Sequence, residues 1–378
     1  MEDNSFTLNG MTVRFKPGQT ILEAAEDNGV LIPTLCHLKG ASPTGACRIC
    51  VVEVEGARTL VPSCATPVSS GMVVQTESAR VVSARRVILD LMLSSGSHNC
   101  AAYGGGIQDW TSIQMAAIEN DDGDELCPVW GDCRLQDLAF QYQVKGASPN
   151  GSEREHPPAE LVNPMIVRDF SRCILCGRCV QACNEVQVNR AISFGYRGKS
   201  AKIIAAGDRH LKDSDCVFCG ECIQACPVGA LVEKKSRYKW RPWEEEKRVR
   251  TTCTYCGVGC QIHLHIRGNR IMKVTGVEEA APNFGSLCVK GRFAFDFVGS
   301  GDRLTSPLIR ENGELREATW DEALDKVARE LGRIKETNGA DSIGLLTSAR
   351  VTNEDNYAAM KFTRAVLQTN NIDHCARL

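Results

Sequence analysis

The 378-residue chain lacks any run of about 18 apolar residues, so no segment reads as a transmembrane helix. Its start, Met1-Glu2-Asp3-Asn4, is acidic, and no apolar stretch with a cleavage site follows. The sequence is therefore read as lacking a secretory signal, and Arg85-Arg86 lies too deep for a twin-arginine signal. Basic charge is not in excess. Lys and Arg number 44 against 46 Asp and Glu, a net charge of −2, which argues against nucleic acid as the main partner. Aromatic residues are scarce at 6% while hydrophobic residues make up 43%, so any core is largely aliphatic.

Cysteine is abundant: there are 20. Disulfide scaffolds are short secreted chains, and this chain is long with no export signal. In a reducing cytoplasm, so many thiols imply metal, and their spacing indicates which.

The elements between the cysteines read as a string of small domains. Ser5–Leu8 and Thr12–Phe15 alternate as strands around Asn9-Gly10, a hairpin signal. Thr20 with Glu23 forms a capping box for a helix that stops at Gly29. Val51–Val54 and Arg58–Val61 read as a second hairpin around Glu55-Gly56, and the order suits a small α+β domain. Ser78 caps an apolar helix over Ala79–Leu93. Lys145–Pro158 reads as a linker, and Lys234–Arg250 as a second one anchored by Trp240 and Trp243. From the capping box of Thr319 and Glu322 a helix runs to about Lys335. A buried strand over Ser342–Thr347 and a helix over Asn353–Gln368 follow, the start of an α/β unit.

Four cysteine groups carry the chemistry. The first is Cys36-x10-Cys47-x2-Cys50-x13-Cys64, around the small-residue loop Gly40–Cys47. Thiolates suit iron and sulfide, and such a loop turns backbone N–H groups toward sulfur. Structural zinc prefers two Cys-x2-Cys pairs, and only one is present. The second group is His98, Cys100, Cys127 and Cys133, with His37 as a competing histidine inside the first group. The third is an internal repeat, Cys173-x2-Cys176-x2-Cys179-x3-Cys183 and Cys216-x2-Cys219-x2-Cys222-x3-Cys226-Pro227. This is the bacterial two-cluster ferredoxin run, in which each fourth cysteine serves the other cluster. Cluster A then takes Cys173, Cys176, Cys179 and Cys226; cluster B takes Cys216, Cys219, Cys222 and Cys183. Asn184 stands where proline usually follows Cys183. The fourth group is Cys253-x2-Cys256-x3-Cys260-x27-Cys288, followed by Val289-Lys290-Gly291. Cys375 is left over and reads as a small buried residue.

The first group resembles the [2Fe–2S] domain that opens the complex I large iron–sulfur subunit. In that family a histidine and three cysteines hold a [4Fe–4S] cluster, usually as His-x3-Cys-x2-Cys-x5-Cys. Cys127-x5-Cys133 matches its end, and residues 101–126 read as an insertion after His98 and Cys100. The fourth group resembles the N-terminal [4Fe–4S] domain of bis-molybdopterin oxidoreductases, where a lysine two residues after the last cysteine lies between cluster and pterin. Lys290 occupies that position.

The whole order resembles the N-terminal part of the cytoplasmic formate dehydrogenase alpha subunit. The resemblance implies an α+β multidomain chain: a β-grasp [2Fe–2S] domain over 1–78, a His/Cys3 domain over 79–145, a two-[4Fe–4S] ferredoxin domain over 164–235, a molybdopterin oxidoreductase [4Fe–4S] domain over 246–302, and the start of the molybdopterin-binding α/β fold over 303–378. It implies one [2Fe–2S] and four [4Fe–4S] clusters, and molybdenum or tungsten on two pterin guanine dinucleotides in the full-length protein. It also implies a cytoplasmic hetero-oligomer whose partner is a flavin- and NAD(P)H-binding diaphorase-type subunit or ferredoxin. The metal-binding selenocysteine or cysteine would come directly after Leu378, so the chain is expected to end at a UGA codon, the alternative being a deliberate fragment or a damaged gene. The catalytic residues would then lie outside this chain, which conducts electrons without turning over formate. The alternative is a non-catalytic electron-transfer subunit of a complex I-like or hydrogenase-type NADH oxidoreductase.

Overall fold

A computed structural model describes residues 4–96, 98, 127–144 and 156–374. Cys100, the insertion 101–126, most of the first linker, Cys375 and Leu378 lie outside the described residues. The chain divides into two units, residues 1–245 and 246–378.

Unit 1 opens with β1 (Ser5–Leu8) and β2 (Met11–Arg14), an antiparallel hairpin turned at Asn9-Gly10, both with positive φ. Helix α1 (Ile21–Asp27) starts at a complete Thr20/Glu23 capping box. Strands β3 (Val51–Val54), β4 (Val61–Pro62) and β5 (Val73–Gln75) complete a five-stranded sheet in the order β2-β1-β5-β3-β4, with β1 and β5 parallel. The second hairpin is corrected in length. Val51 pairs with Pro62, so residues 55–60 form its loop and Arg58–Leu60 are not strand. The Ala57 N–H donates to the Val54 carbonyl and tightens the turn early, which delays the return strand.

Helix α2 (Ala79–Ser94) is capped by Ser78, and α3 (Arg134–Gln141) follows the second cysteine group. Beyond it, β6 (Ile166–Arg168) pairs with β9 (Leu231–Glu233), tying the ends of the internal repeat together. Between them lie α4 (Arg178–Gln181), the hairpin β7 (Ile192–Gly195)–β8 (Lys202–Ala205), and α5 (Glu221–Ala225). One core joins three cysteine groups. It gathers Leu35, Cys36, Cys47 and Ile49 with Leu89, Leu93, Trp130, Cys133 and Leu135, and with Val228 and Ala230. Trp240 is buried, and Trp243 packs on this core as an anchor.

In unit 2, β10 (Lys247–Thr252), β11 (Gln261–Arg267) and β12 (Arg270–Gly276) form an antiparallel sheet. The expected second linker therefore gives way at Lys247 to a strand. Its outward positions are Lys247, Arg248, Arg250 and Thr252, so its sequence is too polar to signal a strand. The short helix α6 (Val289–Phe293) follows Cys288. The hairpin β13 (Leu308–Glu311)–β14 (Glu314–Glu317) precedes α7 (Trp320–Asn338), which starts at the Thr319 cap. Strand β15 (Leu345–Thr347) pairs in parallel with β16 (Ile372–His374), and α8 (Asn353–Lys361) runs on into a π-helical turn to Leu367. The expected strand over Ser342–Thr347 is shorter and not buried: Leu346 is 86% exposed. Among the described residues no helix is long and apolar enough to cross a membrane.

Candidate iron–sulfur sites

The first group converges in unit 1. Cys36, Cys47, Cys50 and Cys64 are all buried. The Cys47 N–H donates to Cys36 Sγ at 3.4 Å. Hydrogen bonds from the Cys47 and Cys64 thiols hold Cys36 far below the ordinary thiol range, and a bond from Cys64 brings Cys50 down to about 6. The donors Cys47 and Cys64 are pushed up in return. Four buried thiols bonded to one another are a donor set from which an iron–sulfur cluster would displace the protons.

A residue outside the four cysteine motifs secures this group. Arg85 is fully buried in α2. Its Nε and one terminal nitrogen donate at 2.9 Å to the carbonyls of Ile49 and Val51, which flank Cys50. Its other nitrogen donates at 2.6 Å to the Tyr142 hydroxyl and pairs with Glu77. The sequence does carry a signal for it: Val81, Arg85 and Leu89 follow one another at four-residue spacing, placing a cation in an apolar stripe.

Of the second group, His98, Cys127 and Cys133 line one small cavity with Trp130, Gln136, Arg172, Val228 and Gly229. His98 Nε2 is buried and has no hydrogen-bond partner among the described residues. Burial, reinforced by the nearby Arg172 cation, pushes the imidazole down to about 4. A neutral imidazole with a bare ring nitrogen beside two thiols has the donor chemistry a cluster requires. Cys133 is the N-cap of α3, and Arg241 donates to the Cys127 carbonyl.

The third group shows its repeat in the backbone. Leu175 and Phe218, matching residues in the two runs, both sit at φ 53°. Each turns its N–H onto the first sulfur of its run, Leu175 on Cys173 and Phe218 on Cys216, both at 3.4 Å. Such conformations are uncommon outside glycine and gather where function requires them. Gly177 and Gly220 then take left-handed φ of 79° and 75° and start α4 and α5. All eight cysteines line one cavity. Burial raises the Cys176 thiol to about 12, with added increments from Cys226 and Cys173, and burial likewise raises Cys216, with increments from Cys219 and Cys183. The Ala191 N–H donates to Cys183 Sγ at 3.3 Å. The Oδ1 of Asn184 is buried without a hydrogen-bond partner among the described residues. Near Cys216, the buried Arg168 pairs with buried Glu160 at 2.5 Å.

The fourth group gathers in unit 2. The Cys253 N–H donates to the Cys260 carbonyl at 2.8 Å, and burial raises both thiols, with further increments from Cys256 and Cys288. Cys256 and Cys288 are exposed, as is Lys290 in α6. His37 is not among the residues that line the second cavity. Among the described residues no three His, Cys, Asp or Glu side chains close on a single metal ion. In the second and third groups the thiols ring voids instead.

Comparison with known proteins matches family models to the segments that hold the first, third and fourth groups. Residues 3–79 match a 2Fe-2S iron-sulfur cluster binding domain, residues 172–230 a 4Fe-4S dicluster domain, residues 246–300 a molybdopterin oxidoreductase Fe4S4 domain, and residues 303–378 a molybdopterin oxidoreductase domain. The chain is 33% identical to a Bacillus subtilis protein named Putative formate dehydrogenase YrhE, over 99% of this chain and 40% of that protein. It is 35% identical to the NADPH-Fe(3+) oxidoreductase subunit alpha of Geobacter sulfurreducens, again over 99% and 40%. It is also 35% identical to an NADH-quinone oxidoreductase subunit of Rhizobium meliloti, over 98% and 40%. The chain thus spans about 40% of the length of these curated relatives. A chain in the crystal structure of an NAD+-reducing [NiFe]-hydrogenase matches with TM-score 0.52 and 30% identity, over 63% of this chain and 90% of that one. With [2Fe–2S], dicluster and Fe4S4 domains preceding the pterin-oxidoreductase match, the chain belongs to the molybdopterin oxidoreductase family, as one of its iron–sulfur electron-transfer members.

Proposed function

We propose that this chain is the iron–sulfur part of a formate dehydrogenase-type alpha subunit, carrying electrons between a molybdenum- or tungsten-pterin formate/CO2 site and a redox partner. The observation that carries this reading is the fourth group, with its x2/x3/x27 spacing, in a segment that matches the pterin-oxidoreductase Fe4S4 domain. Cys36, Cys47, Cys50 and Cys64 would hold a [2Fe–2S] cluster. His98, Cys100, Cys127 and Cys133 would hold a [4Fe–4S] cluster. The eight ferredoxin cysteines would hold clusters A and B in the crossed sets given above, and Cys253, Cys256, Cys260 and Cys288 the last. The clusters supply one-electron storage when bound. The protein's part is to present thiolates, to aim N–H groups at sulfur and to set burial, which together tune potential. Lys290 would lead from the fourth site toward the pterin. The five domain boundaries read from the sequence, and a flavin-, NAD(P)H- or ferredoxin-type partner, belong to the same proposal.

The test is anaerobic reconstitution with iron analysis, expected to plateau at roughly 18 irons per chain for one [2Fe–2S] and four [4Fe–4S] clusters. A plateau near about 14 removes one cubane. Formate specificity is tested on the native complex: formate should bleach the clusters. Bleaching by NADH or NADPH and not by formate would instead favour the second reading, an electron-transfer subunit of an NAD(P)H oxidoreductase, which the Geobacter, Rhizobium and hydrogenase likenesses support.

A further inference from the structure

The two halves of the ferredoxin repeat match in ligands and turns but differ in charge. The second run carries Glu221 where the first, 43 residues earlier, carries Arg178. Ahead of the runs the difference is the reverse. Arg168 stands five residues before Cys173, and Leu211 holds the same place before Cys216. Arg168 and Glu221 are both buried, and both line the cavity that the eight cysteines share; Arg178 is not among its lining residues. Arg168 is held on three sides. Its Nε and one terminal nitrogen donate to Glu160 Oε2 at 3.2 and 2.5 Å, the other donates to the Ile203 carbonyl at 3.3 Å, and Cζ lies 5.2 Å from the centre of the Phe170 ring. Glu160 is also buried but does not line the cavity, so the cation borders the sulfur ligands and its counter-ion stands behind it. Burial raises the Cys216 thiol, and the Phe218 N–H and, more weakly, the Arg168 cation work against that rise.

We propose that Arg168 raises the reduction potential of cluster B, offsetting the Glu221 carboxylate that the second run brings to the cavity. The inference rests on the cluster sets proposed above and names the side chain that tunes one of them. One-electron reduction of a [4Fe–4S] cluster adds a negative charge and breaks no bond. A cation beside the ligands stabilises the reduced form, and an anion there disfavours it. Burial makes both effects larger than they would be in water. The guanidinium stays charged at every pH a folded protein meets, so this contribution is permanent. Glu160 keeps the cation in place, since a guanidinium buried alone is strongly disfavoured. Leu211, at the matching place in the second half, brings no charge of its own to the cavity.

The test is a potentiometric titration, with dithionite as reductant, of the full, anaerobically reconstituted chain, followed by electron paramagnetic resonance. Cluster B is the signal that Cys219→Ser alters or abolishes, and cluster A the one that Cys176→Ser does. Three variants are compared with the wild type: Arg168→Gln, Arg168→Lys, and the double variant Arg168→Gln/Glu160→Gln, which also removes the carboxylate that the first variant strands. At the wild-type midpoint of cluster B, the ratio of oxidised to reduced B should rise several-fold in Arg168→Gln. It should rise less in the double variant, but still rise, because the nearer charge is the one lost. Arg168→Lys should return most of the way to wild type, and the cluster A midpoint should stay in place throughout. The lysine separates charge from scaffolding. Glu160 Oε1 accepts from the Leu211 N–H at 2.8 Å, the Leu211 carbonyl from Ser214 Oγ at 2.8 Å, and Ser214 Oγ from the Cys216 N–H at 3.4 Å, so this corner also supports the Cys216 loop. A scaffolding role needs the forked donor and is lost in lysine as in glutamine, whereas a charge role survives in lysine. A cluster B midpoint unchanged in the double variant overturns the proposal, as does a fall in Arg168→Lys equal to that in Arg168→Gln, or a shift carried by cluster A instead. So does loss of about four irons in the double variant, which would assign the pair to cluster assembly. Failure of the underlying cluster reading looks different: Cys219→Ser would then leave every signal unchanged.

Discussion

Cys36, Cys47, Cys50 and Cys64 lie buried in a sheet domain whose core continues into its neighbours, whereas in unit 2 Cys256 and Cys288 stand exposed. The closed set is held by a saturated internal cation, Arg85, and by thiols bonding one another. The open set is held by a short sheet and one small helix, with the Lys290 ammonium on the exposed side. Closure isolates a redox centre from water and fixes its surroundings. Openness leaves thiols accessible from outside. The two sets place similar residues in opposite surroundings, a difference that burial reveals and spacing does not.

The contrast breaks most sharply at Arg85. Arg85→Ala strands the Ile49 and Val51 carbonyls and the Tyr142 hydroxyl without their donor. It should cost on the order of 3 kcal/mol in the unfolding of unit 1 while leaving unit 2 unchanged. Separate melting transitions for the two units would read this directly, and equal losses in both would refute it. The closed set should also open: Cys47 and Cys50 in the variant should react with thiol reagents as readily as Cys256.

His98 offers the next largest effect. His98→Ala should abolish or convert one [4Fe–4S] signal and spare the [2Fe–2S] signal of the closed set. An unchanged spectrum would mean the histidine is not a ligand.

Without iron, alkylation should then rank the sets by access. Brief iodoacetamide treatment followed by peptide mass mapping should label Cys256 and Cys288 well before Cys36 or Cys64. Uniform labelling would erase the distinction between closed and open sets.

The smallest effect is expected on the surface of unit 2. Arg316 bonds Glu311 and Glu322, and these hydrogen bonds hold both carboxyls below their ordinary value of 4.5. Depressed carboxylates stabilise above the unfolded value and lose that contribution as pH falls through the folded one. All three groups face solvent, so acidification or Arg316→Ala should loosen β13–β14 barely measurably by amide exchange.

Much of this is legible in local sequence, because local rules suffice. The Asn9-Gly10 turn, the Thr20/Glu23 box and the Ser78 and Thr319 caps are short-range chemistry, and each forms where the sequence places it. The cysteine runs are legible because ligand geometry restricts spacing. What escapes is tertiary. Lys247–Thr252 is a strand because β11 pairs with it, not because it alternates in polarity. Leu345 and Leu346 suggest a buried strand, but burial depends on what covers a strand, and Leu346 is bare. In sequence Arg85 shows only as a cation in an apolar helical stripe. Its role needs the carbonyls of Ile49 and Val51, brought in from a segment some 35 residues upstream.

The shared core of unit 1 bears on how such a chain can be rebuilt. By sequence, residues 3–79 are a self-contained part to be grafted elsewhere. Yet Leu35 and Ile49 face Leu89, Leu135 and Val228 rather than their own sheet. A chimera cut near residue 79 would carry a raw apolar wall, and would lose the arginine that ties down the Cys50 strand. Exchange of electron-relay parts among relatives should therefore succeed with residues 1–245 transplanted together, and fail where a border follows the family boundaries within them.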